Sequence, residues 1–571
     1  MEFSSYNISP QQETYDAIVV GSGISGGWAA KELTEKGLKT LVLERGRPVE
    51  HGKDYITEHT PPWEMEFRGR GDRKKMEEEK PIQFFSGAAN AYDIHFFVND
   101  KKNPYSWEEE KKYLWLRGYQ VGGRSITWGR QTYRMSDLDF EANARDGVGV
   151  DWPIRYKDIA PWYDYVEEYV GISGSKEGIP HLPDGVFLPP MEMNCVEKHA
   201  KPRIEEAFPE RHFIIGRAAI LTQAHKGRGA CHYCGPCPRG CSVGAYFSSL
   251  SSTLPDARAT GNMTLRPNSI VHSIVYDRET GKASGVRVID RVTKESLEFR
   301  GKIIFLCASA MGSTQILLNS TSPEFPEGLG NSSGVLGHYA MDHHFKMGAN
   351  AEFPGFEDQY YFGNRPNGIY IPRFRNISEE TSMDFLRGYG YEGGGYRSGW
   401  GRGLNTPGFG TELKETLRDP GPWRMWMTAF GETLPDYDNY VELNEEVTDD
   451  WGLPTLKFHC SLGDNEYKMR KDAAEEAANM LEAAGGKNVS SFDNEYFPGE
   501  GIHEMGTARM GRDPKTSILN GHNQVHEVPN VFVTDGACMT SSACQNPSIT
   551  YMALTARAAD FAVSELKKQN L

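Results

Sequence analysis

The stretch "YDAIVVGSGISGGWAAKELTEKGLKTLVLERG", residues 15–46, decides the fold. "DAIVV" is a short apolar run of the kind that forms a strand buried on both faces. Gly21, Gly23 and Gly26 follow it as G-x-G-x-x-G. "SGGWAAKELTEKG" then reads as a helix that stops at Gly37, and "KTLVLE" as a second strand. Glu44 stands 18 residues after Gly26. Gly21 permits the tight turn, Gly23 lets the backbone approach a pyrophosphate, and Gly26 lets the helix pack on the strand. The helix N-terminus, with Ser22, Ile24 and Ser25 around it, faces the phosphate charge. Glu44 accepts hydrogen bonds from a ribose hydroxyl in this reading, and Arg45 lies in the same site. Strand, helix, second strand and acidic residue fall in register, which favours a dinucleotide site over a merely structural glycine turn. The motif does not separate FAD from NAD.

The rest of a nucleotide fold lies far along the chain. "SIVHSIVYDRETGKASGVRVIDRVTKESLEFRGKIIFLCASA" (269–310) alternates like three antiparallel strands with a turn at Thr280–Gly281. It ends on the buried apolar run "IIFLCA". "NVFVTDGA" (530–537) is again strand then turn. "NPSITYMALTARAADFAVSELKK" reads as a helix beginning near Pro547, where the missing N–H costs nothing. One domain is therefore assembled from separated pieces, and the stretches between them form something else.

At 571 residues the chain exceeds one hydrophobic core. Its 38% hydrophobic and 25% charged content are those of a soluble globular protein. A formal charge of −16 disfavours nucleic acid and anionic membrane as partners. No apolar run approaches the length of a membrane span, so direct membrane insertion is not expected. The N-terminus "MEFSSYNISPQQETYD" has neither a basic n-region nor an apolar h-region. The expected compartment is the cytoplasm, or the periplasm by folded co-export with a signal-bearing partner.

Nine cysteines are too few for a disulfide scaffold in a chain of this length. Cys195, Cys307, Cys460, Cys538 and Cys544 are scattered and read as small buried hydrophobes. The other four fall within "CHYCGPCPRGC": Cys231, Cys234, Cys237 and Cys241, spaced C-x2-C-x2-C-x3-C. This is the spacing of ferredoxin-type iron–sulfur loops, with Gly235, Pro236, Pro238 and Gly240 to turn the backbone. In two-cluster ferredoxins the fourth cysteine serves the other cluster, so spacing alone does not fix four ligands. Zinc is the main rival, although its sites usually pair two separated knuckles. A redox dithiol, or thiols without a metal, is the plainer alternative.

Five blocks carry a family resemblance: "GSGISGG…LERG", "RGYQVGGRSITWGR" (117–130), "SSGVLGHYAMDHH" (332–344), "GETLPDYDNYVELN" (431–444) and "HEMGTARMG…VFVTDGA…NPSITYMALTARAA" (503–559). Together they resemble the glucose–methanol–choline (GMC) oxidoreductase family of flavoenzymes. Within it they are similar to bacterial sugar and glycoside dehydrogenases, the catalytic subunits of glucoside 3-dehydrogenases included. The resemblance implies an α/β protein with a discontinuous, Rossmann-like FAD-binding domain. Its pieces are residues 13–50, 113–150, 231–345 and 501–571, with the cysteine loop 231–241 embedded. It also implies a substrate domain, from residues 51–112, 151–230 and 346–500, built on a mostly antiparallel sheet with helices. By position it places Arg117, Gly122, Gly123 and Ser125 along the FAD, and Trp128 and Gly129 beside the flavin ring. Val271 meets the adenine, Asp535 and Gly536 the ribityl–pyrophosphate region, and Pro547 and Ser548 open a helix toward the flavin. Thr127 stands where some relatives carry a flavin-linking histidine, which implies non-covalent FAD.

Oxidising an alcohol requires a base for the hydroxyl proton and an acceptor for the carbon-bound hydride, which a flavin supplies. The resemblance assigns His503 as the base and Asn546 as the holder of the substrate oxygen. It also matches Cys231, Cys237 and Cys241 to a three-cysteine set in some members; the extra Cys234 favours a four-iron over a three-iron cluster. A cluster lets flavin electrons leave singly, which points to a dehydrogenase with an external acceptor. The expected substrate is a sugar or glycoside oxidised at a secondary hydroxyl, C3 of a glucoside first. The expected partners are a small accessory subunit and a cytochrome-type acceptor. An oxygen-using oxidase with a structural metal loop, a dehydrogenase for gluconate or another polyol, and a non-catalytic electron-transfer subunit stay open. In "FLRGYGYEGGGYRSGWGRG" (385–403), Tyr389, Tyr391, Tyr396 and Trp400 either stack on a sugar or belong to a surface loop with packed rings. "FRGRGDRKKMEEEK" (67–80) reads as a solvated excursion or a partner contact.

Overall fold

The computed structural model describes residues 9–571 except 86–88, 379–381, 398, 400, 401, 404 and 405. Trp400 and the first eight residues of the segment read for an export signal therefore lie outside the described residues.

The opening stretch forms the centre of the first sheet. Strand Ser9–Val20 runs parallel to Thr40–Leu43 on one side and to Ser296–Leu306 on the other. Met263–Arg266 extends the parallel part beyond Thr40–Leu43, and Val531–Val533 pairs with the end of Ser296–Leu306. Lys282–Asp290 and Ser269–Asp277 complete it as an antiparallel flank. The central runs are apolar because both faces are covered: Ala17, Ile18 and Val19, like Ile303, Ile304 and Phe305, have no exposed surface. Helix Ile24–Glu35 packs on one face through Ala29, Ala30 and Leu33. Ala558, Ala559 and Ala562 of the C-terminal helix Ser548–Lys567 join the same core. These small side chains let the helix backbones come close.

The second sheet is wholly antiparallel, in the order Lys487–Asp493, His344–Phe353, Trp423–Gly431, Tyr389–Arg397, Ile369–Ile371, Ile214–Ile215. Its two faces separate by the period of two. Met425, Met427 and Ala429 face helix Asp464–Ala483, which answers with Met469, Ala473, Ala477 and Met480. The helix spacing of four, four and three keeps one face on the sheet. Each fully buried methionine there contributes about 1.5–3 kcal/mol.

Part of the glycine-rich segment 385–403 is thus not a loop: residues 389–397 are an interior strand of this sheet. Glycine is required where backbones crowd, since a Cβ on Gly393 would lie 2.3 Å from the Trp426 carbonyl oxygen. Tyr389 and Tyr391 are fully buried on the helix side, where the Tyr391 hydroxyl donates to the Ala473 carbonyl at 2.6 Å. They are core residues, not a sugar platform, because their odd register turns them from the opposite face. Tyr396 lies near the strand end, 36% exposed. The charged stretch 67–80 is surface structure in which only Met76 is buried.

Candidate active site

A cavity of about 500 Å³ reaches from the first glycine turn to the face of the second sheet that carries Phe345, Glu392 and Phe430. At its nucleotide end the three glycines do different things. Gly21 has φ +99°, and a Cβ there would lie 2.3 Å from the Cys307 carbonyl oxygen. A Cβ on Gly26 would lie 2.1 Å from the Gly21 oxygen, so Gly26 closes the helix against the turn. A Cβ on Gly23 would meet nothing within 4 Å; it would stand in the cavity. Gly129, farther along the wall, is equally free. The fold itself places no steric demand on glycine at 23.

Glu44 is held under this turn. Its Oε2 accepts from the Ser22 hydroxyl at 2.6 Å and the Ser22 amide at 3.1 Å, and its Oε1 accepts from the Gly46 amide at 2.7 Å. Burial raises its pKa against these hydrogen bonds. Asp535 accepts from the Ser313 hydroxyl at 2.5 Å and from the Ala537 amide at 3.0 Å, and burial pushes it up to about 6. Arg117 pairs with Asp100 at 3.3 Å and lies over the Trp115 ring. The Trp128 indole donates to the Phe247 carbonyl at 2.9 Å, which fixes its plane at the wall. The Tyr551 hydroxyl, also on the wall, is buried with no partner among the described residues. An elongated space with a glycine cradle, an acid at one end and unpartnered polar atoms along it fits FAD.

The far end gathers polar and titratable side chains. His503 and Asn546 both line the cavity, Asn546 just before the N-terminus of the helix Ser548–Lys567. The His503 ring meets the ring of His343, Nδ1 to Nδ1 at 2.9 Å. The Nε2 of His343 lies 2.7 Å from the Ala543 carbonyl oxygen. A carbonyl only accepts, so His343 carries its proton on Nε2. Burial lowers the His343 pKa to about 4, so the ring is neutral and its Nδ1 is a lone pair. His503 must then donate from Nδ1, which leaves its own Nε2 as a lone pair. Burial, then His343, then the Arg124 guanidinium hold the His503 pKa well below its ordinary value. Asp342 clamps the pair from behind: its Oδ1 accepts from the His343 amide at 2.8 Å and the His503 amide at 2.9 Å. Arg124 makes a two-pronged contact to buried Glu504, at 3.2 and 2.6 Å, on the adjoining wall.

Of the flavin-site residues named from sequence, Gly26, Gly122 and Pro547 do not line the cavity. Gly26 packs the helix, Gly122 turns the chain at φ +92°, and Pro547 caps the C-terminal helix. The remaining ones form its wall. Sequence reading missed His343, Glu392 and the stacked pair Phe345–Phe430, whose rings lie 5.4 Å apart. The "MDHH" block contained His343, but nothing local tied it to a residue 160 positions away.

The cysteine loop adjoins this cavity. Pro238 and Arg130 are on the cavity wall, and Arg130 is near enough to draw the Cys237 pKa down against burial, which raises it. Cys231, Cys234, Cys237 and Cys241 surround a separate space of about 80 Å³, and none is in a disulfide. Burial pushes the Cys231 thiol up to about 11. Among the described residues no group of three or more His, Cys, Asp or Glu side chains is arranged to hold a metal ion. The four thiols share one space without closing on a point.

Comparison with known proteins agrees with this geometry. The GMC oxidoreductase family matches residues 15–343 through its N-terminal model and 435–555 through its C-terminal model. The chain belongs to the GMC oxidoreductase family. It is 28% identical over 566 residues to 2-methyl-1,2-propanediol dehydrogenase of Mycolicibacterium austroafricanum, covering 96% of this chain and 94% of that one. It is 23% identical to the fructose dehydrogenase large subunit of Gluconobacter japonicus, covering 97% and 98%. Among solved structures, pyridoxine 4-oxidase from Mesorbium loti matches with TM-score 0.60 at 14% identity, covering 96% and 98%, a likeness of fold. GMC oxidoreductases bind FAD and oxidise CH–OH groups of alcohols or sugars, and this member is an enzyme of that kind. No described helix is long and apolar enough to cross a membrane.

Proposed function

We propose that the protein is a dehydrogenase that oxidises a secondary hydroxyl of a sugar or glycoside, C3 of a glucoside first, and passes the electrons to an external acceptor. The observation that carries this reading is the free Nε2 of His503 at the cavity end beside Asn546. Non-covalent FAD, when bound, supplies the hydride acceptor. His503 takes the hydroxyl proton on Nε2, and Asn546 donates a hydrogen bond to the oxygen as it gains charge. The positive end of the helix Ser548–Lys567 favours negative charge arising in front of it.

The electron path in this reading leaves through an iron–sulfur cluster in loop 231–241. Four thiols round one space beside the flavin cavity support it. The test is anaerobic turnover of methyl glucoside with an artificial acceptor and NMR of the product. A 3-keto glycoside is expected; oxidation at C1 or C2, or no reaction, overturns the substrate assignment.

A further inference from the structure

Glu392 occupies an unusual place. It sits in the interior strand Tyr389–Arg397, paired with Tyr370 on one side and Thr428 on the other. The period of two that buries Tyr389 and Tyr391 against the helix turns Glu392 to the opposite face. There it lines the cavity with His503, Asn546, Phe345, Phe430 and Gln131. Its Oε1 is buried and has no hydrogen-bond partner among the described residues. Burial raises its pKa to about 7, and a hydrogen bond with the Asn546 side chain acts the other way. A carboxyl taken out of water without a partner costs stability. The Asn546 hydrogen bond offsets part of that cost, and Oε1 stays without a partner among the described residues. A ligand hydroxyl would supply one.

We propose that Glu392 accepts a hydrogen bond from a second substrate hydroxyl, on the carbon next to the one oxidised, and so selects vicinal diols. This rests on the reading of His503 and Asn546 as the site of alcohol oxidation. The geometry follows from Asn546. Its amide has two N–H groups; one faces Glu392, which leaves the other for the reacting oxygen. Neighbouring gauche hydroxyls stand about one hydrogen-bond length apart, ~3 Å. A hydroxyl on the adjacent carbon therefore closes a four-membered ring: reacting oxygen, second oxygen, Glu392 carboxylate, Asn546 nitrogen. A lone alcohol leaves Oε1 as it stands now, buried and unpaired. The Phe345–Phe430 stack supplies an apolar wall beside it for the carbon skeleton. Polyols such as a glycoside offer the required pair; a monohydric alcohol does not.

The test is anaerobic stopped-flow reduction of the holoenzyme flavin, with FAD content measured for every variant. Substrates are methyl glucoside and its analogues lacking the hydroxyl on either carbon next to the oxidised one. For the wild type, one deoxy analogue should react about 10- to 100-fold more slowly, the scale of a buried hydrogen bond to a charged group. In Glu392→Ala that penalty should shrink to below about threefold, because the two losses share one interaction. The proposal is overturned if both deoxy analogues reduce wild-type flavin at the parent rate, or if the penalty persists in Glu392→Ala. Should Glu392→Ala fail to hold FAD, Glu392→Leu, which fills the space but has no acceptor, is used, and a penalty that keeps its full wild-type size there overturns the proposal. If methyl glucoside does not reduce the wild type, the sugar reading falls by itself. Propane-1,2-diol against propan-1-ol then decides Glu392: a preference for the diol that is lost in the variant upholds it, and equal rates overturn it.

Discussion

At the scale of single residues, the site is a chain of proton positions that can be counted from one fixed point. The Ala543 carbonyl sets the tautomer of His343, and His343 sets that of His503. Two variants separate the roles. His503→Ala removes the proposed base and should slow flavin reduction by about a hundredfold or more, with FAD content unchanged. His343→Ala leaves the base but frees its tautomer, so a smaller loss, about tenfold, is expected at pH 8. Burial, the largest cause of the low His503 pKa, remains in this variant, so His503 stays neutral and the loss should appear in the rate. An unchanged rate removes His343 from the mechanism.

At the scale of elements, the first strand–turn–helix unit was legible because its constraints are local. Three glycines, a buried apolar run and an acid at fixed offsets are determined within some thirty residues. A paired substitution tests their distinct tasks. Gly26→Ala drives a Cβ to 2.1 Å from the Gly21 oxygen, so it should destabilise the fold by a few kcal/mol and lower the melting temperature clearly. Gly23→Ala meets no protein atom within 4 Å, so the fold should persist while the FAD-to-protein ratio on purification falls. Equal melting temperatures for the two variants, or full FAD in Gly23→Ala, would show the assignment to be wrong. The second sheet was illegible for the opposite reason. Its strands pair across gaps of tens of residues, and Tyr389–Arg397 is so rich in glycine that it imitates a loop. Alternation of Tyr389 and Tyr391 with Gly390 and Glu392 was the one available signal, and glycine obscured it. His343 and Glu392 escaped notice because their meaning lies in contacts with distant segments, at residues 503 and 546.

At the scale of the whole molecule, the proposed electron path would run from the cavity into the adjoining cysteine loop. Hydride leaves the substrate as an electron pair, whereas cytochrome-type acceptors take electrons singly. The cysteine loop stands between the cavity and the surface. Pro238 and Arg130 touch the flavin side, while Cys234 is exposed and Tyr233 packs edge-on against exposed Phe362. A cluster in this loop would have its potential set by nearby hydrogen bonds and by solvent. The half-reactions should then separate in Cys237→Ser. Cys237 lies beside Arg130, so its replacement alters the cavity side of the loop while His503 and Asn546 are untouched. Substrate should still bleach the flavin at close to the parent rate. Steady-state reduction of a cytochrome should fall by tenfold or more. A small dye that reaches the flavin directly can hide the defect, so the protein acceptor is the proper partner for the assay. Iron determined on anaerobically purified wild type completes the measurement. Protein without iron, or a variant that reduces cytochrome at the parent rate, would falsify the relay and leave the loop as a structural staple. Loss of flavin bleaching in parallel with cytochrome reduction would instead place Cys237 in the support of the cavity wall.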